Sequence, residues 1–495
     1  MKKIKLIALL FIAILASCDD ATEIVQPGEF LGENAFQNVD DLQTGLFGAY
    51  SQLSNATIIS FTSIFTDEVS IGRSNGGQGI TNDAVHLYNL NPNTGEAGTI
   101  WLNNYTLINF ANRILEAAEN ITPESGEEDT YNKVRAEALA LRAFGHSQLL
   151  SFYAEDITDP SSTGVIAIDF VPELTTTLPR NTVGETMTLI TNDLNEAELL
   201  FSGLSTPVSN SSRIFIDTDF VRAVRGRMAL YTEDYVTAEI MADALIASYN
   251  ITDRTNFAAV WQDQSVNGVI FKADRTDNNA GIGSVWNTNN STAGGSPVYE
   301  LSRSVFNKLE NNPGDIRRTV YVDPTSIVDP NYASSVDPRN TDVLVIDKYP
   351  GDPNLTSVVI NDLKIFRVEE FRFIKAECRI FNNDLPGAAA EIKAIRDQRY
   401  SSAITLPSYT DAQEAWADVL EERRLELYLE GHRYLDVSRL ASKANLNTYD
   451  RDATDCSMIN QSNCNLSTTL TIAKYFPIPF DEISGNNAIS QSTGY

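Results

Sequence analysis

Two stretches of the chain repeat each other at a fixed offset. "GRMALYTEDYVTAEIMADAL" (Gly226–Leu245) lies over "AECRIFNNDLPGAAAEIKAI" (Ala376–Ile395) without a gap. Gly226 pairs with Ala376, Met228 with Cys378, Leu230 with Ile380, Tyr231 with Phe381, Asp234 with Asp384 and Ala238 with Ala388. In each stretch two small residues stand twelve apart around a short turn. A tight antiparallel helix hairpin needs this, because a small side chain lets the facing helix approach closely. The spacing agrees with the small positions of a tetratricopeptide repeat, although Arg222 stands where that repeat carries a large aromatic. Degenerate tetratricopeptide-like hairpins, and with them a mainly α fold, are the expectation.

Other segments carry the same helical period. Trp101, Tyr105, Ile108, Asn112 and Leu115 recur every three to four residues, as do Val134, Ala138, Leu141, Gly145, Leu149 and Phe152. Val183, Met187, Ile190, Leu194 and Ala197 form a third stripe. Thr410 followed by Gln413 reads as a capping box that opens a later helix. Hairpins are therefore expected over about 100–155, 183–248 and 366–440, with loop-rich segments over about 250–365 and 441–475. Those loops are long and rich in Gly, Asn, Ser, Asp and Pro, which in a compact chain marks function or disorder.

The first twenty residues, "MKKIKLIALLFIAILASCDD", read as a secretory signal. Lys2, Lys3 and Lys5 precede an apolar run from Leu6 to Leu15, too short to span a bilayer. Leu15-Ala16-Ser17-Cys18 resembles a bacterial lipobox, which makes residues 1–17 a signal peptide and Cys18 the lipidated residue. Asp19 and Asp20 resemble the surface-export signals of some Gram-negative lipoproteins, and residues 18–27 would be the lipidated tether to a domain spanning 28–495. The acyl chains anchor such a protein to a membrane surface, and nothing later in the chain is long and apolar enough to cross a membrane. The formal net charge of -29 argues against nucleic acid and anionic lipid as partners. Cys456 and Cys464 lie in a polar loop and, in an exported protein, are expected to form a short-loop disulfide; Cys378 falls in a helical pattern as a small buried hydrophobe.

"EERRLELYLEGHRYLDVSRL" (Glu421–Leu440) gathers Glu, Arg and one of only 3 His. Catalysis would need two carboxylates facing a cleft, or metal ligands such as two His four apart. His86, His146 and His432 are scattered, and no metal site, P-loop or G-x-S-x-G elbow is present. Glu421 and Arg424, Arg433 and Asp436, and Asp436 and Arg439 each lie three apart, so each pair could meet on one helix face. The stretch is expected to be scaffold, with Gly431 permitting a bend or close contact.

Four stretches together resemble the SusD/RagB family of nutrient-uptake lipoproteins. They are "RAEALALRAFGHSQLLSFYAED", "LPRNTVGETMTLITNDLNEAELL", Glu421–Leu440 and "YFPIPFDEISGNNAISQSTGY", in the family's order and spanning nearly the whole mature chain. The resemblance implies a right-handed superhelical core of tetratricopeptide-like hairpins with a loop-rich capping subdomain. It implies a lipid-anchored protein on the outer face of the outer membrane, without cofactor or bond cleavage, that binds oligosaccharide and hands it to a SusC-like TonB-dependent transporter. Some relatives capture peptides instead, and a helical glycoside hydrolase or a pure repeat scaffold are the remaining rivals.

Sugars are captured in water by stacking a ring face on an aromatic while polar side chains bond the hydroxyls. Trp286, among Asn287, Asn289 and Asn290 in a long loop, is the expected platform, with Tyr299 at the loop's end. Trp101 and Asn104 begin a helix after a polar loop; the spacing of Trp101 with Tyr105 and Ile108 favours burial, but both remain candidates because the family places glycan contacts near such a position. Asp67, Glu68 and Arg73, before a Gly-rich loop, could add hydroxyl contacts, whereas Trp261 and Trp416 read as core.

Overall fold

The computed structural model describes residues 35–71, 84–286, 298–312, 314–334, 341–457 and 464–495. Positions 1–34, with the signal, Cys18 and the tether, lie outside the described residues, as do Arg73, Asn287, Asn289 and Asn290. Helices dominate. The first are α1 (Val39–Gln52), α2 (Ala56–Phe65), α3 (Gly95–Ala118), α4 (Glu128–Tyr153) and α5 (Val183–Ser202). Then come α6 (Thr218–Tyr231), α7 (Tyr235–Ser248), α8 (Phe257–Trp261), α9 (Arg303–Glu310) and α10 (Ile316–Tyr321). The C-terminal part holds α11 (Val368–Phe381), α12 (Leu385–Arg399), α13 (Ala412–Glu426), α14 (Arg433–Leu440), α15 (Ala453–Ser457) and α16 (Phe480–Gly485). The four described strands are β1 (Val69–Ile71), β2 (Val269–Ala273), β3 (Tyr299–Leu301) and β4 (Leu363–Arg367).

Consecutive helices pack as neighbours, α3 on α4, α4 on α5, α6 on α7 and α11 on α12, and α11 also packs on α7 from the earlier hairpin. The repeat seen in the sequence holds down to single hydrogen bonds. Asp234 N–H donates to Ala229 O and Asp384 N–H to Arg379 O, both at 2.8 Å. Glu233 and Asn383, one residue earlier, sit in the left-handed region at φ 61° and 59°. This is a Schellman end to the first helix of each hairpin. Asp234 and Asp384 then cap the second helix, accepting from Thr237 N–H at 3.1 Å and Gly387 N–H at 2.9 Å. One aspartate thus closes one helix and opens the next, which is why the turn is so short. At Gly226 a Cβ would stand 3.0 Å from Met241 Cβ and 3.2 Å from the Phe371 ring, so the small residue sets how closely α6 meets α7 and α11.

The cap of α13 falls one residue later than the sequence suggests. Asp411 accepts from Glu414 N–H at 2.9 Å, and Glu414 reaches back to Thr410 N–H at 2.7 Å. Aspartate at this position outcompetes threonine because its carboxylate also meets the positive end of the helix.

One large apolar core runs through α1–α7, the strands and the C-terminal segment. A second, smaller core of Phe373, Ile380, Ala388, Ile392, Trp416 and Val419 lies between α11, α12 and α13. β1 pairs antiparallel with β3, Ile71 opposite Tyr299, and β2 pairs antiparallel with β4. Cys456 and Cys464 are joined by a disulfide, and Cys378 is free and buried. Among the described residues no helix is long and apolar enough to cross a membrane.

Candidate functional site

The charged stretch Glu421–Leu440 ends α13, turns, and begins α14. The turn needs Leu429 at φ 56° and Gly431 at φ 89°, and a Cβ on Gly431 would meet Ile58 Cγ2 at 3.0 Å. Two of the three expected local ion pairs do not form, although both members of each lie on one helix, because partners from other segments take the charges. Glu421 pairs with Lys308 at 3.1 Å and Arg424 with Asp450 at 3.0 Å. Arg433 makes a bidentate pair with Asp67 at 2.8 and 2.7 Å instead of meeting Asp436. Asp436 does hold Arg439, at 2.9 Å, and also Arg423 at 2.8 Å. Asp67 and Asp436 are fully buried carboxylates, where attraction to a guanidinium is stronger than between neighbours at a wet helix surface, whereas Glu421 and Asp450 stay part-exposed.

A further set of pairs around Glu422, Glu426 and Glu430 is buried and ties distant segments together. Glu426 receives Arg399 at 2.7 Å, Arg367 at 3.2 Å and Arg317 at 3.4 Å. Glu430 receives Arg367 at 2.8 Å and Lys348 at 2.7 Å, and Glu422 receives Arg317 at 2.7 Å. Burial alone would raise the Glu426 carboxyl, but Arg399, Arg367 and Arg317 outweigh it and hold the group well below the usual carboxylate range. Asp67 behaves alike under Arg424 and Arg433, so this buried carboxylate offers nothing to a ligand. His432 is pulled down to about 4, first by burial. Glutamates locked this way have no free acid or base to give a substrate.

The expected glycan contacts are relocated as well. Trp286 is 0 % exposed, so its ring presents no face to a sugar; it closes the turn after residues 282–285, its backbone N–H donating to Gly283 O at 3.1 Å. Tyr299 is buried in β3 opposite Ile71. Glu68 directly precedes β1 and is buried, its carboxylate accepting from Leu429 N–H at 3.0 Å. Asn104 is buried and bonds back to Ile100 O at 2.8 Å. Trp101 is buried too, with Tyr105 and Tyr153 at ring distances of 4.8 and 4.9 Å. Polar-loop context suggested exposure for Trp286, but the aromatic side chain folds inward because burying so large an apolar surface outweighs the preference of its neighbours. Trp261 and Trp416 are core, as the sequence suggested.

Trp101 nevertheless lies behind an open groove. The groove is about 280 Å³ and runs between α3, residues 166–178 and α16. Tyr105, Ile166, Ile168 and Leu178 give it an apolar floor, and Asp481, Glu482 and Asn486 a polar rim. Trp101 Nε1–H donates to Glu482 Oε2 at 3.1 Å, and Asn486 Nδ2 donates to Glu482 Oε1 at 2.9 Å. The Tyr105 hydroxyl donates to Ile166 O and accepts from Ile166 N–H, each at 3.0 Å. Ring and carboxylate are therefore fixed in place before any ligand arrives, a partly exposed aromatic beside hydrogen-bonding groups.

Residues 261–495 match the SusD family model, and residues 23–214 match a second model described as "Starch-binding associating with outer membrane". The chain belongs to the SusD/RagB family. It is similar to a SusD-like protein of Formosa agariphila, 25% identical over 488 residues, covering 89% of this chain and 92% of the relative. Among solved structures it is similar to a SusD superfamily protein from Bacteroides vulgatus, TM-score 0.74 and 21% identity, covering 93% of this chain and 100% of the other. It is also similar to a SusD-like carbohydrate binding protein from the same organism, TM-score 0.69 and 20% identity, covering 92% and 98%. These likenesses fix the mainly helical, tetratricopeptide-like SusD fold. Within it, Tyr105, Glu482 and Asn486 are the groove residues that sequence reasoning missed. Glu482 lies in the family-like "PIPFDEI" motif, and Tyr105 is four residues from Trp101 on one helix, so the signals were present but pointed at neighbours.

Proposed function

We propose that this SusD-family protein is a non-catalytic, cell-surface glycan-binding lipoprotein that captures oligosaccharide and passes it to a SusC-like TonB-dependent transporter. The observation that carries the reading is the pre-organised groove at Tyr105: an apolar floor with one partly exposed aromatic and a carboxylate and amide rim, in a chain of this family. Its polar groups suit hydroxyls, and the buried glutamates of Glu421–Leu440 are committed to ion pairs rather than chemistry. Cys18 would carry the lipid anchor on the outer face of the outer membrane, and the solved relative described as a carbohydrate binding protein supports a sugar as cargo.

Calorimetry of the soluble domain against a panel of oligosaccharides tests this. At least one glycan binds, Tyr105→Ala weakens it about tenfold, a loss of about 1.4 kcal/mol, and no new reducing ends appear on prolonged incubation. Binding confined to a peptide pool would replace the sugar reading by peptide capture. Reducing ends that vanish on one Glu or Asp substitution would make it a hydrolase. In cells, Cys18→Ser releases the protein from the membrane fraction; retention there would refute the anchor.

A further inference from the structure

The turn shared by the two repeated hairpins is not equivalent at its surface. In the first hairpin Tyr231 is buried, and the Arg439 guanidinium sits 4.9 Å from its ring centroid. The matching residue in the second, Phe381, is 60 % exposed. One of its faces lies on the Tyr235 ring, centroids 4.1 Å apart and planes 18° apart. Tyr235 is itself held, its hydroxyl 2.8 Å from Lys443 Nζ, which also pairs with Glu233 at 2.7 Å. Phe381 is therefore a ring of fixed orientation with one open face.

Its surroundings narrow what that face could meet. Val236 and Ile240, 73 % and 57 % exposed and one helical turn apart on α7, extend the apolar floor of the same cleft, about 480 Å³ in volume. The rim carries Glu233, Asp234, Glu239, Asp243 and Arg379; Arg379 pairs with Glu239 at 2.9 Å, and Lys375 and Lys443 just outside the cleft pair with Asp243 and Glu233, each at 2.7 Å. These rim groups offer donors and acceptors to hydroxyls, and most of their charge is compensated by a neighbouring ion. A flat apolar face ringed by such groups is complementary to a neutral sugar ring.

We propose that the Phe381–Tyr235 stack is a second saccharide-stacking platform, built from different elements than the Tyr105 groove, that adds a contact for long glycan chains. The inference rests on the glycan-binding reading. A second contact on one polymer raises its affinity through effective concentration, while a short ligand filling one site gains nothing.

Length dependence is the test. Wild type, Phe381→Ala and Phe381→Trp are titrated with amylopectin, xylan, pectin and laminarin, and with the trisaccharide of each. For the glycan that binds, Phe381→Ala weakens the polymer about tenfold and leaves the trisaccharide unchanged, while Phe381→Trp keeps polymer affinity. Equal polymer affinity in folded Phe381→Ala would overturn the platform, and so would parallel loss for both lengths. If wild type binds no glycan of either length, the underlying reading fails and the platform with it. Loss of the co-expressed transporter on Phe381→Ala, with polymer affinity intact, would reassign the patch to protein docking.

Discussion

Glu426 shows what a single buried carboxylate does in this molecule. Three guanidiniums converge on it, those of Arg399, Arg367 and Arg317, all fully buried. Glu426→Ala would leave them facing one another without their shared anion, a loss of roughly 3–5 kcal/mol. Urea unfolding should show it as a large fall in midpoint. The part-exposed helical pair Lys393–Asp397 is the control, where Lys393→Ala should cost under about 0.5 kcal/mol. Glu68 makes the opposite case. Burial pushes its carboxyl up to about 7; the Leu429 N–H bond opposes the rise and the neighbouring Asp67 adds to it. Folded Glu68 therefore keeps a proton that the unfolded chain gives up at ordinary carboxylate pH. Its contribution is intact below about pH 4.5 and is lost as pH climbs through 7. Glu68→Gln should gain on wild type by roughly 1 kcal/mol per pH unit between pH 5 and 7. Parallel stability curves for the two proteins would refute the assignment. The sequence displayed these charges but not their partners: Arg433 and Asp67 are far apart in the chain, and only the tertiary fold chooses Asp67 over Asp436.

At the scale of elements, the hairpins were the most legible part of the chain. Small residues at a fixed spacing state the close approach, and the repeated Asp234 and Asp384, matched in the sequence only as equivalent positions, prove to be the helix caps. The left-handed residue between the helices was not legible, because Glu233 is a poor occupant of that conformation, unlike Asn383. Glu233→Gly should therefore stabilise the fold by about 0.5–1 kcal/mol, less whatever its bond to Lys443 contributes, whereas Asn383→Gly should gain little. Thermal unfolding of the two variants decides it; a larger gain at Asn383 would contradict the argument. The site residues were less legible than the helices for a related reason. Periodicity marks which face of α3 turns inward, and so foretold that Trp101 is buried, but not that α16 would come to lie across it and make a groove at Tyr105. Trp286 was misplaced because a polar loop composition says nothing about which way one large ring turns.

For the whole molecule the dominant quantity is charge. A chain at -29 surrounds every surface site with negative potential, and that field acts differently on each class of cargo. A neutral glycan held in the Tyr105 groove by stacking and hydroxyl bonds exchanges no charge on binding. Its affinity should change less than about twofold between 50 and 500 mM NaCl, since screening alters only long-range terms. A basic peptide drawn in by the acidic surface would lose affinity steeply over the same range, and an anionic polysaccharide, repelled at low salt, would bind more tightly as salt rises. Calorimetric titrations at three salt concentrations thus separate the cargo classes by sign, independently of any substitution. A steep weakening with salt would overturn neutral sugar as the ligand even if Tyr105→Ala also lowered affinity, because a stacking contact alone cannot produce it.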